Sequence, residues 1–444
     1  MEACKLPMDT LIDILARLPV KSLMRFKSVC KFFYDLIKNN HQFMDKHYEF
    51  RKGKSHCAVI EFEPASTVPQ PLPNYLFNLI YKESECDDVI CIYLDLPNSN
   101  TRFVKCCDGM LCLILCRGDL VRSDIGHIIS PDIIFDVLVL NPFTREVKVL
   151  PFIKVPDKPP NIQRLEIQFG FGLSNNMTWK VIMLLSFEDA NRKIDSHEIV
   201  MVCSQVGDLW SWRKIDVALD SLYLGSLFDT RDFYLKGKYY WQSIKGHLVW
   251  FDIDDEVFGK IERPSNVKGL DFYTVMSECI VVVTVQLPCT ENEVCNEIWV
   301  MDENNNNISW NKQTSIFSSR DMLEYFDPIG FWDPSGHFLV VSGHMERRYT
   351  NSNYYYPDYH DEELYFKDGF GPNLISIDLK THEKKTIFTS QERISTLTIG
   401  LNPAGHVQVC SERSVNQIQE WNDINILWDM ASYFRTFHES LKLL

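Results

Sequence analysis

Apolar residues at the start of the chain recur with helical spacing. Leu11, Ile14, Leu15 and Leu18 fall at i, i+3, i+4 and i+7, one stripe of a short helix. Leu6-Pro7 opens this segment, and Asp9 stands where a carboxylate suits the positive helix end. Leu18-Pro19 closes it, because a residue before proline is pushed out of the α region. A second helical stretch carries Leu23, Phe26, Val29, Cys30, Phe33, Leu36 and Ile37 on one face, with Lys21, Arg25, Lys27 and Lys31 over much of the other. Helices this short must dock onto the rest of the chain or hold a partner.

From about residue 55 onward, short runs rich in Val, Ile, Tyr, Phe and Trp alternate with Gly, Pro, Asn and Asp clusters, the pattern of strands and turns. A loose repeat runs through them. One half is a glycine followed by an apolar strand, at Gly109, Gly237 and Gly336. The other half is strand, polar turn, strand, at residues 137–150, 199–215, 248–261, 298–312 and 374–388. Four strands per unit is the content of one propeller blade. Five units are legible, and a sixth is expected from residues 55–100 joined by 395–444, which would remove free sheet edges. The expected architecture is a small helical domain over residues 1–48, then an all-β domain over 49–444, a β-propeller of about six blades. A pair of β-sandwiches is the competing arrangement.

Composition narrows the function. The 444 residues carry a net charge of -15, split as +2 over residues 1–50 and -17 over the remainder. An acidic body repels phosphates and anionic membranes and attracts basic proteins, which argues against nucleic-acid and membrane partners. No apolar run is long enough for a membrane span, and no secretory leader is legible. A reducing compartment, with the 14 cysteines as thiols, is therefore expected.

Catalytic and metal motifs mostly fail. Gly170-Phe171-Gly172 lacks the third glycine of a dinucleotide loop, Asn175 standing in its place, and reads as a tight turn. His197-Glu198, His382-Glu383 and His438-Glu439 have Met201, Thr386 and Lys442 where a second zinc-binding histidine is needed. Cys106, Cys107, Cys112 and Cys116 are clustered, but the chain contains no C-x-x-C. Cys106, Cys112 and Cys116 share parity on what reads as one strand, as small buried residues would. No metal and no cofactor are expected. Trp212, Trp241, Trp250, Trp299 and Trp310 recur at repeat-equivalent places, which argues for packing between blades. Residues 343–368 interrupt the repeat and mix tyrosines with carboxylates, as recognition loops do. Tyr354, Tyr355, Tyr356, Asp358, Tyr359, Asp361, Glu362 and Glu363 are the candidate target-binding residues.

The N-terminal run Leu6-Pro7, Asp9, Leu11, Ile14-Leu15, Leu18-Pro19-Val20-Lys21-Ser22-Leu23, Arg25-Phe26-Lys27, Val29-Cys30-Lys31 resembles an F-box. The remainder is similar to the F-box-associated region of plant F-box proteins, in particular S-locus F-box proteins. The stretches that match are Cys107-Asp108-Gly109, Leu140-Asn141-Pro142-x-Thr144-Arg145, Gly170–Leu173, Ser211-Trp212-Arg213, Tyr240-Trp241, Glu297–Met301 and Glu439-Ser440-Leu441. The resemblance implies a cytoplasmic or nuclear, non-catalytic subunit of a Skp–cullin–F-box ubiquitin ligase. It implies adaptor contacts through Leu6, Pro7, Leu11, Ile14, Leu15, Leu18, Pro19, Val20, Leu23, Phe26, Val29, Cys30 and Phe33, and a cullin–RING ligase reached through a Skp-type adaptor. Phe33 stands where the family usually has Trp, which keeps the apolar contact and loses an N–H. The S-locus branch implies non-self S-RNases, which are basic secreted proteins, as targets for degradation. A non-degradative scaffold and an enzyme with its site in the propeller channel are the alternatives.

Overall fold

A computed structural model describes residues 6–51, 56–62, 75–83, 86–95, 102–117, 133–141, 143–144, 146–156, 162–176, 178–189, 197–206, 209–216, 232–243, 246–265, 270–290, 293–304, 307–319, 324–331, 337–349, 362–366, 373–389, 395–401, 407–410 and 434–437. The chain opens with four helices, α1 (Met8–Leu15), α2 (Val20–Lys27), α3 (Lys31–Asn39) and α4 (His41–Arg51). Pro7 and Pro19 stand immediately before α1 and α2 in extended conformation. Asn40 starts α4 by accepting the Phe43 N–H at 2.9 Å on its side-chain oxygen. The expected second stretch is two helices: Ser28 Oγ donates to the Arg25 carbonyl at 2.7 Å, and Cys30 is extended at φ -160°. A serine bonding back to its own turn competes with helix continuation, which periodicity alone does not register. Leu15, Ala16, Val20, Leu23, Leu36, Ile37, Phe43 and Met44 close a core among these helices.

The rest is six sheets, almost all antiparallel. The first contains β1 (His56–Phe62), β2 (Tyr75–Glu83) and β3 (Cys86–Asp95). Four-stranded meanders follow: β4 (Arg102–Cys107), β5 (Met110–Arg117), β6 (Ile134–Asn141) and β7 (Glu146–Lys154); β8 (Ile162–Leu173), β9 (Trp179–Asp189), β10 (His197–Val206) and β11 (Leu209–Ile215). Next come β12 (Phe233–Leu235), β13 (Lys238–Gln242), β14 (Leu248–Asp252) and β15 (Phe258–Ile261), then β16 (Leu270–Met276), β17 (Cys279–Thr290), β18 (Glu293–Asn304) and β19 (Asn307–Ser319). The fifth meander joins β20 (Glu324–Phe331), β21 (His337–Tyr349), β23 (Asn373–Asp378) and β24 (Lys384–Thr389), with β22 (Glu362–Phe366) paired to the far part of β21. Finally β25 (Ser395–Leu401), β26 (Val407–Cys410) and β27 (Phe434–Phe437) return to the first sheet, β25 lying parallel to β3 and β27 antiparallel to β1.

The five sequence repeats at 137–150, 199–215, 248–261, 298–312 and 374–388 coincide with the last two strands of the five meanders. The sheet shared by both chain ends is present as well. Adjacent sheets meet through their leading strands, β4 against β8, β8 against β12, β12 against β16, β16 against β20, β20 against β27, and β27 against β4. The sheets also pack face to face in sequence. Phe135 of one meander meets Phe169 of the next at 5.1 Å between ring centroids. Ile182, Leu184, Val200 and Val202 pack on Tyr239, Trp241, Val249 and Phe251. Tyr240, Leu248 and Ile261 pack on Tyr273, Ile280 and Val282. Val281, Val283 and Ile298 pack on Phe331, Phe338 and Ile377. A strand buried on both faces has no polar side to present, which is why Met110–Cys116 and Ile280–Val283 read as unbroken apolar runs.

Three sequence expectations change. Gly170 and Gly172 lie inside β8 rather than in a turn: a Cβ at Gly170 would sit 2.8 Å from Trp241 and one at Gly172 2.8 Å from Tyr234. Glycine there permits close approach of the next sheet. Cys106 belongs to β4, whereas Cys112 and Cys116 belong to β5, and the two-residue turn between them breaks the parity. Register pairs Cys106 with Leu111 and Lys105 with Cys112, so Cys107 rather than Cys106 shares the buried cluster of Cys112 and Cys116. The stretch 343–368 is in part regular, since β21 runs on to Tyr349 and pairs with β22.

Candidate functional site

The helical segment divides its apolar residues into two sets. Of the thirteen expected contacts, Leu15, Val20 and Leu23 are core, and Leu11, Leu18 and Phe33 pack partly against it. Pro19 is half-buried. Leu6, Pro7, Ile14, Phe26, Val29 and Cys30 remain at the surface, Val29 being 66% exposed. Met8, Phe32 and Tyr34 are further exposed apolar residues, which were not among the expected contacts. Phe33 is edged by Phe26 at 5.5 Å and by Phe32 at 5.4 Å between centroids, so neighbouring rings fill in around the smaller side chain. Lys27 lies 5.5 Å above the Tyr34 ring. Partial burial, together with nearby Lys38, lowers the Lys27 pKa.

Helices α3 and α4 and the helical core reach the turns at one end of the β4–β7 sheet. Buried Asn141 accepts the N–H groups of Phe143 at 2.9 Å and Thr144 at 3.1 Å, an Asx turn that shapes the β6–β7 connection. Phe143 packs against the helical core from there. In the β4–β5 turn Asp108 (φ 44°) and Gly109 (φ 80°) are both left-handed, the geometry of a two-residue hairpin that glycine relieves. Tyr48 of α4 donates its hydroxyl to Asp108 Oδ1 at 2.6 Å. Burial, with Asp108 second, raises the Tyr48 pKa strongly, so the phenol stays a donor. Lys38 of α3 forms an ion pair with Glu146 of β7, and that hydrogen bond raises the lysine pKa. In the sequence Asp108 and Asn141 stand out only within the matching motifs, and Gly109 also as a repeat mark. Their part in holding the helices had no signal in the periodicity.

Both of those turns lie at one end of their sheet, since first and third connections of an antiparallel meander share an end. The corresponding turns of the next sheets gather there. Tyr234 Oη donates to Leu173 O at 2.7 Å, Asn175 N–H to the Asp254 carboxylate at 3.1 Å, and Lys236 pairs with Glu278 at 3.5 Å. The second connection of each meander lies at the other end, and in the fifth meander it carries the β21–β22 hairpin. Glu362 and Glu363 open β22 opposite Tyr349 and Arg348. Tyr354, Tyr355, Tyr356, Asp358, Tyr359 and Asp361 fall outside the described residues.

Burial pushes the Cys203 and Cys116 thiols up to about 12 each, and Cys112 well above its usual range, which disfavours the nucleophilic thiolate at these three positions. Among the described residues no group of three or more His, Cys, Asp or Glu side chains is placed to hold a metal, and no helix is long and apolar enough to cross a membrane.

Comparison with known proteins identifies the helical segment by similarity. Residues 4–43 match the F-box domain. Relatives that align with 58–76% of the chain carry the F-box label as well. A putative F-box protein of Arabidopsis thaliana is 26% identical over 275 residues, 58% of this chain and 61% of its own length, so the chain spans about three-fifths of that relative. Another Arabidopsis F-box protein is 24% identical over 76% of this chain and 82% of its own. An Arabidopsis F-box/kelch-repeat protein is 25% identical over 74% and 79%. These likenesses support a plant F-box protein. Among solved structures, the β-propeller domain of the Trilobed protease from Pyrococcus furiosus overlays 72% of this chain and 97% of its own at 11% identity and a TM-score of 0.29, too loose to define the fold.

Proposed function

We propose that this chain is the substrate-recognition subunit of a Skp–cullin–F-box ubiquitin ligase: the helices hold a Skp-type adaptor, and the β body holds a protein destined for ubiquitination and proteasomal degradation. F-box proteins generally serve as such subunits. The observation that carries the reading is the F-box match over helices whose core is already closed while Leu6, Met8, Ile14 and Val29 stay exposed. A small domain does not leave that much apolar surface without a partner. Buried thiols and failed motifs favour a receptor that performs no covalent chemistry itself.

The circuit of six sheets, each packed between two others and sealed by strands from both chain ends, supports a six-bladed propeller as the frame of the body. The excess of 17 negative charges in residues 51–444 suits a basic target. S-RNases in pollen are the targets that the S-locus resemblance implies, and the tyrosine- and carboxylate-rich segment 343–368 is the proposed place of contact. Co-purification of the full chain with a recombinant Skp-type adaptor tests the receptor reading, and failure to bind overturns it. Binding against a panel of S-RNases tests the narrower one. A bound protein whose half-life is unaffected by proteasome inhibition would favour a non-degradative scaffold.

A further inference from the structure

The F-box helices do not hang from the β body by their chain connection alone. Three contacts of different chemistry, all to one sheet, hold them. The first is apolar, Phe143 set by its Asx turn into the rim of the helical core. The second is the part-buried hydrogen bond from Tyr48 to Asp108. The third is the Lys38–Glu146 ion pair. They come from two helices, α3 and α4, and reach two turns, so they form a footprint rather than a hinge point. A single contact leaves a body free to rotate, whereas contacts from two helices to two separate turns restrain its orientation.

The turns of the second, third and fourth meanders are tied to one another by Tyr234–Leu173, Asn175–Asp254 and Lys236–Glu278, and the buried Lys105–Asp232 pair ties the first meander to the third, so an orientation set at the first meander is shared by its neighbours. We propose that this footprint is the positioning joint of the receptor: Phe143, Tyr48–Asp108 and Lys38–Glu146 fix the direction in which the ligase carries the β body, tight-turn end inward and the end bearing the β21–β22 hairpin outward. The proposal rests on the receptor reading. It assigns to residues that touch neither adaptor nor target the task of setting where a bound protein stands relative to the ubiquitin donor. Small displacements at such a joint matter because transfer needs the acceptor lysine held near the donor thioester.

The test uses the full chain in complex with a Skp-type adaptor, a cullin, its RING partner, a charged conjugating enzyme and ubiquitin. The receptor's own lysines serve as acceptors, so no target need be known. A rigid body presents the same few lysines every time. Phe143→Ala combined with Tyr48→Phe loosens the joint, and the milder pair Tyr48→Phe with Glu146→Gln does so without touching the apolar core. Expected are an adaptor affinity changed by less than about threefold and amide exchange in α4 faster by about tenfold or more. Modification should spread from the wild-type lysines to many others, and Phe143→Leu should restore the wild-type map. A merely structural role would lower the melting temperature and leave that map alone. An unchanged lysine map in a variant that still holds the adaptor overturns the joint. A wild-type chain that holds no adaptor overturns the receptor reading itself, and the joint's purpose with it.

Discussion

Lys105 of β4 and Asp232, the residue before β12, form an ion pair with both side chains almost fully buried where these two leading strands approach. Tyr239 Oη donates to the same Asp232 oxygen at 2.8 Å, so the carboxylate is held by two donors from two sheets. Removing the lysine leaves a buried carboxylate without its counter-charge, whereas removing both charges does not. Lys105→Ala is therefore expected to cost about 3–5 kcal/mol. Lys105→Met combined with Asp232→Asn, which keeps an acceptor for Tyr239, should cost clearly less. Urea unfolding of the single and double variants measures the difference. A double variant as unstable as Lys105→Ala would show that volume rather than charge matters there.

Indole N–H groups tie one sheet to the next at several levels. Trp241 Nε1 donates to Phe169 O at 3.1 Å in the buried interior, while Trp212 reaches Pro151 O at 2.8 Å and Trp310 reaches Glu262 O at 3.1 Å nearer the surface. An acceptor left without its donor is costly only where water cannot replace it. Trp241→Phe should destabilise by about 1–3 kcal/mol, and Trp212→Phe or Trp310→Phe by about 0.5–1 kcal/mol. Gly170→Ala should harm stability by a comparable 1–3 kcal/mol or so, because the rings of Trp241 and Tyr239 that its Cβ would meet are themselves packed. Thermal unfolding ranks the four variants. Equal losses for Trp241→Phe and Trp212→Phe would refute the ranking.

Glu256, in the β14–β15 turn, receives Lys180 at 2.8 Å and Arg213. Burial works against its charged form, but the hydrogen bonds from Arg213 and Lys180 outweigh it and hold the carboxyl below the usual glutamate range. A carboxylate with a depressed folded pKa adds stability that is fully present above its unfolded value, about 4.3, and is lost as pH falls through the folded one. Since Arg213 is largely solvated, about 1 kcal/mol is expected. The gap in urea midpoint between wild type and Glu256→Gln should be open near neutral pH and close on acidification. A gap that widens in acid would mean the opposite sign.

Much of the body was legible because burial on two faces writes itself into the sequence as apolar runs, and tight turns as Gly and Asp. The last two strands of five meanders could be placed for that reason, as could the pairing of the chain ends. Where the chemistry departs from the residue that signals it, the sequence misleads. The β16–β17 turn repeats the left-handed pair of Asp108-Gly109 with Ser277 (φ 50°) and Glu278 (φ 62°), and no glycine marks it. Gly170 carried the opposite error, a glycine kept for close approach rather than for turning. On the helices, periodicity selects an apolar stripe but cannot divide it into core and surface. The division depends on where α3 and α4 fold back, and on Phe143, which comes from the β6–β7 connection far along the chain.

That division yields a discriminating pair of substitutions. Leu15 is 2% exposed within the helical core, whereas Ile14, its neighbour in sequence, is 45% exposed, and Val29 more so. A carboxylate at Leu15 would be buried without a partner, costing several kcal/mol or more, roughly the whole stability of a domain this small. Leu15→Asp should therefore melt the helices whether or not an adaptor exists. Ile14→Asp and Val29→Asp place the same charge in water in the free chain, so helical circular dichroism and melting should change by about 0.5 kcal/mol or less. If the exposed face is the adaptor contact, each buries that charge only on binding, and adaptor affinity should fall by about 2 kcal/mol or more, some thirtyfold. Calorimetric titration with a Skp-type adaptor measures this directly. Ile14→Asp and Val29→Asp proteins that are folded and bind as tightly as wild type would place the adaptor elsewhere on the helices.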